Sequence, residues 1–480
     1  MHNINGSWIR GRLFGLLIVL SLISWPALLA SIFPEISYQK LPSPLDLFPA
    51  LVSWVLLSTI RCPYSRLLGY AWVIWYFVGV LNTLSSSIVL GSYYGNLRLQ
   101  EATEIYFWGC AFYFAGMLLF EKTAGKRKKS VYGVSVSSLG IHPIFRAVLL
   151  AFPIAWLASM YWTLGYIPIL RGVNIVDDMY EIGYGPLYPY GPFLIVSILF
   201  AAYRCMSAGT HKRRISYGVI ALLFIIISMA DGKRAFAMVA FGGVCGISFK
   251  LFGRKTWWPI LPIFASAMLA LYVGVLLLRG DESGVIRFDA YEKMMLVGVE
   301  FRDFVYTVNY AKPGEIQNYS WAVSSLASVT NNLAMKVLGL DKTALVNLDS
   351  AHAWATIWGS NFGIRTGILS ELWFSYGGMA MPLLVLYGFL SGILIRGLRA
   401  VRSGRDLIFF SSLFGLLVLN ITSQSTFTFG ILPTLLYLYV VVRGGSDLLH
   451  QRNLRRNRIL EFYSGLRDVG LDGRSERLQR

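Results

Sequence analysis

Charge is scarce in this 480-residue sequence: Asp, Glu, Lys and Arg together make up 14% of it, and long stretches carry none. That excludes an ordinary water-soluble surface and a disordered chain, both of which need charge to stay solvated. Cysteine is rarer still. The four thiols, Cys62, Cys110, Cys205 and Cys245, have no paired spacing, so neither a disulfide framework nor a structural zinc site is expected. The five histidines are scattered, and no cluster has His/Cys ligand spacing, so no metal and no cofactor is expected. No GxxxxGK[ST] loop is present, which argues against an ATP-driven pump.

What is present is apolar and aromatic: 55% hydrophobic residues, laid out as repeated runs. Inside a bilayer the backbone can bond only to itself, so runs of about 20 apolar residues read as spanning helices. The expected fold is therefore all-α, a polytopic integral membrane protein. Its spans fall at about 12–33, 46–60, 68–90, 104–120, 144–163, 189–208, 215–230, 235–252, 257–278, 370–395, 406–421 and 427–443. The segment 1–443 reads as one transmembrane domain with a long external loop at about 279–369, followed by a basic tail at 444–480.

The formal net charge of +18 is first a topology signal. With both termini cytoplasmic, most Lys and Arg fall in the cytoplasmic loops and most Asp and Glu outside, as the positive-inside bias requires. The tail is too short for a nucleic-acid-binding domain and is expected to lie near anionic lipid headgroups. Two external segments are long, about 164–188 and 279–369, and loops of that length are usually functional. Within the second, "AYEKMMLVGVEFRDFVYTV" (290–308) and "WAVSSLASVTNNLAMKVLGL" (321–340) read as amphipathic helices lying across the outer end of the bundle. Trp321, Trp354, Trp358 and Trp373 suit sugar stacking, but interfaces attract tryptophan by default.

Against the inside bias, "ISMADGKRAFAMVAF" (227–241) sets Lys233 and Arg234 at an outer hairpin tip, where Asp231 and Gly232 supply the turn. Arg279 follows a span in "LLLRGDES", Arg365 precedes another, and Arg171 lies in the third external loop. Arginine offers a planar, permanent charge suited to bidentate phosphate contact, while arginine at a span end can equally snorkel to the headgroups. His352 is the one histidine expected outside, and a neutral imidazole can take a proton from a sugar hydroxyl; a histidine bonded to its own loop is the equal alternative. Glu371 opens a span, where a carboxylate can serve as a base or favour a helix N-terminus.

The outer basic hairpin "ADGKRAF", the long penultimate outer loop and the stretch "GIRTGILSELWFSYGGMAMPLLVLYGFLSG" (363–392) together resemble the O-antigen polymerases, the Wzy-type oligosaccharide repeat-unit polymerases. An R-x(10)-G motif of that family is matched by Arg287 and Gly298, whereas Arg171 has Ile182 at the required place and Gly183 one residue later. The resemblance implies a metal-independent glycosyltransferase of GT-C-like architecture in the bacterial inner membrane, with undecaprenyl-diphosphate-linked oligosaccharides as substrates and a chain-length regulator as partner. It assigns the diphosphate to Arg234, Arg279, Arg365, Arg171, Lys233 and Arg287, and the base to His352 or Glu371. An O-antigen ligase using the same residues, and a transporter of lipid-linked oligosaccharides, are the competing readings. Mid-span positions nearly free of charge disfavour the transporter.

Overall fold

A computed structural model describes residues 48–90, 99–124, 139–167, 190–230, 235–253, 299–310, 319–330, 332–350, 352–353, 367–423 and 425–475. Among the described residues every regular element is helical and no strand occurs. The helices are α1 (Phe48–Thr59), α2 (Pro63–Leu90), α3 (Leu99–Thr123), α4 (Pro143–Leu164), α5 (Tyr190–Ser207), α6 (His211–Ala230) and α7 (Ala235–Gly253). Then come α8 (Val299–Tyr310), α9 (Trp321–Val329), α10 (Asn332–Val337), α11 (Lys342–Val346) and α12 (Gly367–Tyr376). A single 3₁₀ turn leads to α13 (Ala380–Ala400), followed by α14 (Gly404–Leu419) and α15 (Ser425–Ser475).

The sequence-derived spans from 46–60 to 235–252, and those at 406–421 and 427–443, each coincide with a helix, and 370–395 is divided between α12 and α13 by the 3₁₀ turn; those at 12–33 and 257–278 lie outside the described residues. Among the described residues five helices are long and apolar enough to cross a bilayer: α3, α4, α7, the α12–α13 pair, and α15 as far as Arg452. By contrast α1, with 12 residues, rises only about 18 Å against a hydrocarbon core of about 30 Å. The last helix does not stop where the basic tail begins at 444 but continues to Ser475.

Local chemistry sets the helix ends. His142 caps α4 ahead of Pro143, and Gly165 closes it in the left-handed conformation. Ser403 caps α14 by accepting from the Asp406 N–H. The Glu121 carboxylate, at the end of α3, accepts the backbone N–H groups of Arg61 and Cys62 just before α2. Between helices, small residues allow close approach. A Cβ on Gly116 would sit 2.1 Å from the Val385 carbonyl oxygen, and one on Gly388 would sit 2.1 Å from that of Tyr113, so α3 and α13 cross backbone to backbone.

Contacts sort the helix ends into two groups. At one end Lys250 donates to the Arg399 carbonyl, Arg405 donates to the Gly140 carbonyl and the Asp447 carboxylate, and Tyr64 packs on Phe249. Here too lie Arg61, Arg66, Lys122 and Arg146. The opposite end gathers α8 to α12, the start of α7, and the turn between α14 and α15. The 290–308 stretch is helical from Val299 onward, and its Phe301, Phe304 and Val305 are buried against α2 and α3. It is thus part of the core, because its apolar stripe meets aromatic partners on two spans.

Candidate active site at the head of α15

The turn that joins α14 to α15 is the anchor. Gly367 has φ +67, and a Cβ there would lie 2.2 Å from the Ile421 carbonyl oxygen. Only glycine adopts that conformation without strain and clears the carbonyl. Ile368 can therefore donate its N–H to the Asn420 carbonyl at 3.0 Å, which docks α12 on the turn.

One helical turn further on, Glu371 is fully buried. Its Oε2 accepts the backbone N–H of Ser425, the first residue of α15, at 2.8 Å, and its Oε1 accepts the Ser350 hydroxyl at 3.1 Å. The carboxylate thus serves the N-terminus of a helix other than its own, where the exposed N–H groups and the helix dipole favour negative charge. The Tyr319 hydroxyl donates to the Glu371 carbonyl at 2.7 Å. Burial first, and then the Glu371 carboxylate, raise the Tyr319 phenol well above its ordinary range, so it remains a donor.

Beside this buried carboxylate stands a second, Asp349. Its Oδ2 accepts the Thr426 hydroxyl at 3.3 Å, while Oδ1 accepts both the backbone N–H of His352, at 2.9 Å, and the ring Nδ1, at 2.8 Å. A carboxylate that only accepts puts the proton on Nδ1 and makes Nε2 the accepting ring atom. The exposures differ sharply: the Asp349 side chain is 7% accessible and the His352 side chain 54%. A buried, oriented acid therefore holds an imidazole at the surface, the arrangement by which a third group orients a general base.

The two candidate bases are thereby separated. His352 is accessible, whereas Glu371 is buried with both oxygens engaged. Asp349 escaped the sequence reading, although "LDSAH" (348–352) carries the signal: an acid three residues before a histidine shares a helical face with it.

Arg171, Lys233, Arg234, Arg279, Arg287 and Arg365 lie outside the described residues, as do Trp354 and Trp358. Phe236, two residues after Arg234, packs its ring 5.9 Å from that of Phe427, next to the Thr426 that bonds Asp349. Gly367, two residues after Arg365, is the docking glycine. Among the described residues, no group of three or more His, Cys, Asp or Glu side chains is placed to hold a metal ion, and all four cysteines are free thiols. A narrow aromatic crevice between α2, α3, α8 and α12, bordered by Trp75, Tyr106, Phe301 and Ser370, includes no member of the dyad.

Comparison of the chain with protein-family profiles, with curated proteins and with solved structures found no match.

Proposed function

We propose that this membrane-embedded chain is a glycosyltransferase that joins lipid-diphosphate-linked oligosaccharides, with His352 as the general base. The observation that carries the reading is the Asp349–His352 pair at the head of α15, a buried acid that orients an exposed imidazole. A base held in this way suits a reaction in which a hydroxyl loses its proton while a diphosphate departs.

The chemistry follows in balanced steps. His352 Nε2 takes the proton of a sugar hydroxyl as its oxygen bonds to the anomeric carbon of the donor. The bond from that carbon to the diphosphate oxygen breaks, and the electron pair leaves with the diphosphate. Asp349 stabilises the imidazolium through Nδ1–H and keeps the ring in place. Arg234, Arg279 and Arg365, together with Lys233, Arg171 and Arg287, stabilise the charge growing on the leaving group, which is work for fixed guanidinium groups. Glu371 belongs to the scaffold.

In the full form of this proposal about twelve helices in a GT-C-like arrangement cross the bacterial inner membrane. The basic end and both termini face the cytoplasm, and the head of α15 faces the periplasm. Undecaprenyl-diphosphate-linked repeat units are polymerised into O-antigen or a related surface polysaccharide, with chain length set together with a regulator protein.

Arg234→Ala in the native cell should abolish long polysaccharide chains while single-repeat product persists on a gel; unchanged long chains would remove Arg234 from the diphosphate site. Deletion of the whole gene separates the polymerase from the ligase. Single-repeat capping marks a lost polymerase, and accumulation of uncapped lipid-linked polymer marks a lost ligase.

A further inference from the structure

The helix α9 is built inside out. Its polar residues Ser324, Ser325 and Ser328 are buried, Ser324 to 1% exposure, whereas Val323, Leu326 and Val329 on the other face are open, Leu326 to 69%. The same holds just beyond it, where Val337 is 79% exposed and Leu338 and Leu340 are exposed as well. Water would favour the reverse arrangement, since burying hydroxyls and exposing branched aliphatic side chains both cost free energy. Hydrocarbon favours what is seen: two of the three serine hydroxyls bond to their own helix, and the aliphatic side chains need no partner. Ser324 and Ser328 donate to helix carbonyls one turn back, those of Ser320 and Ser325, as hydroxyls in membrane helices can.

The position of α9 agrees. Its serine face packs on α15 so closely that a Cβ on Gly430 would lie 4.0 Å from that of Ser328, five residues into an apolar helix long enough to cross a bilayer. Its first residue, Trp321, donates its backbone N–H to Ser375 Oγ of α12 and sets its ring edge-on to Tyr376 and Phe429. The open face of α9 thus continues an outward apolar surface on the spanning helices, where Met379, Leu436 and Tyr437 are exposed. With nine residues α9 rises about 14 Å, under half of the hydrocarbon thickness, so it can enter a bilayer but not cross it.

We propose that α9 and α10 form a re-entrant element whose apolar face is covered by lipid acyl chains. This inference rests on the membrane character of the chain and not on the proposed chemistry. It sets the head of α15, with its acid and histidine pair, beside the bilayer surface rather than on a domain held away from it. The site would then be served from the lipid phase.

The test uses the full-length protein reconstituted in phosphatidylcholine vesicles, with an environment-sensitive fluorophore attached at Leu326→Cys or, separately, Val337→Cys. Both positions are exposed, so neither variant disturbs packing, and the parent protein taken through the same labelling reaction corrects for dye at the four native thiols. Acyl-chain-brominated phosphatidylcholine is expected to quench most of the emission at both positions, and aqueous iodide very little. Iodide quenching without bromolipid quenching would overturn the proposal by placing the face in water. Protection from both quenchers would overturn it in favour of a second copy of the chain or another protein as the cover.

Discussion

Replacing Glu371 separates a structural carboxylate from a catalytic one. In Glu371→Ala the Ser425 N–H and the Ser350 hydroxyl both lose their acceptor in a fully buried place. Each donor left unpaired costs about 1–3 kcal/mol, so the loss amounts to roughly 2–6 kcal/mol. That is a large share of a stability of about 5–15 kcal/mol, and it falls where α12, the 319–350 segment and α15 are tied together. Glu371→Gln behaves differently. Its amide oxygen can accept the Ser425 N–H, and its NH₂ can donate to Ser350 Oγ, which is able to accept. The alanine variant is therefore expected to melt several degrees lower in detergent and to lose product. The glutamine variant should melt close to the parent and still make long chains in a deletion strain. Melting is followed by the monodisperse fraction after heating, and product by the glycan ladder on a gel. A glutamine variant that melts like the parent but makes no polymer would refute the reasoning, because only a proton-transfer role separates the two side chains.

Other outcomes follow from the same geometry. Asp349→Asn should cut turnover about 10²- to 10⁴-fold, the usual scale for impaired general base catalysis, while His352→Ala, at an exposed side chain, should cut turnover with no loss in melting temperature; transfer between purified lipid-linked oligosaccharides, read by mass spectrometry, checks both. Gly367→Ala should destabilise by about 3 kcal/mol, from the left-handed backbone together with the lost Ile368 to Asn420 hydrogen bond, and should accelerate amide exchange at Ile368. Gly388→Ala should cost about 1–3 kcal/mol by forcing α3 and α13 apart, whereas Gly378→Ala, with open space around it, should leave the melting temperature unchanged.

Much of the helical layout was legible in the residues, and for a plain reason. A helix in hydrocarbon satisfies its own backbone, so a run such as Pro143–Leu164 announces itself without reference to any other part of the chain. The site was legible only in part. His352 was legible as the one histidine expected outside, whereas Asp349 is marked only by its spacing of three residues from His352, which tells nothing until the segment is known to turn into a helix there. Glu371 was noticed for the right property, affinity for a helix N-terminus, but the helix it serves begins 54 positions later. The stretch 321–340 was legible as amphipathic, whereas the direction in which its apolar face points was not. Hydrophobic spacing marks a stripe on a helix but is silent on whether that stripe faces protein or lipid.

Taken by itself, the sequence determined that this protein is helical and membrane-embedded and where most of its helices run, because hydropathy and backbone self-satisfaction act within one segment at a time. Only the tertiary structure decided which polar groups meet. It brought Asp349 to Thr426 across 77 positions and Glu371 to Ser425 across 54, and it turned the serines of α9 inward. Those choices depend on how the helices pack, through a glycine at 367 that lets α12 settle on a turn and glycines at 116 and 388 that let two backbones touch. Such contacts span distances in the chain over which no local pattern carries information.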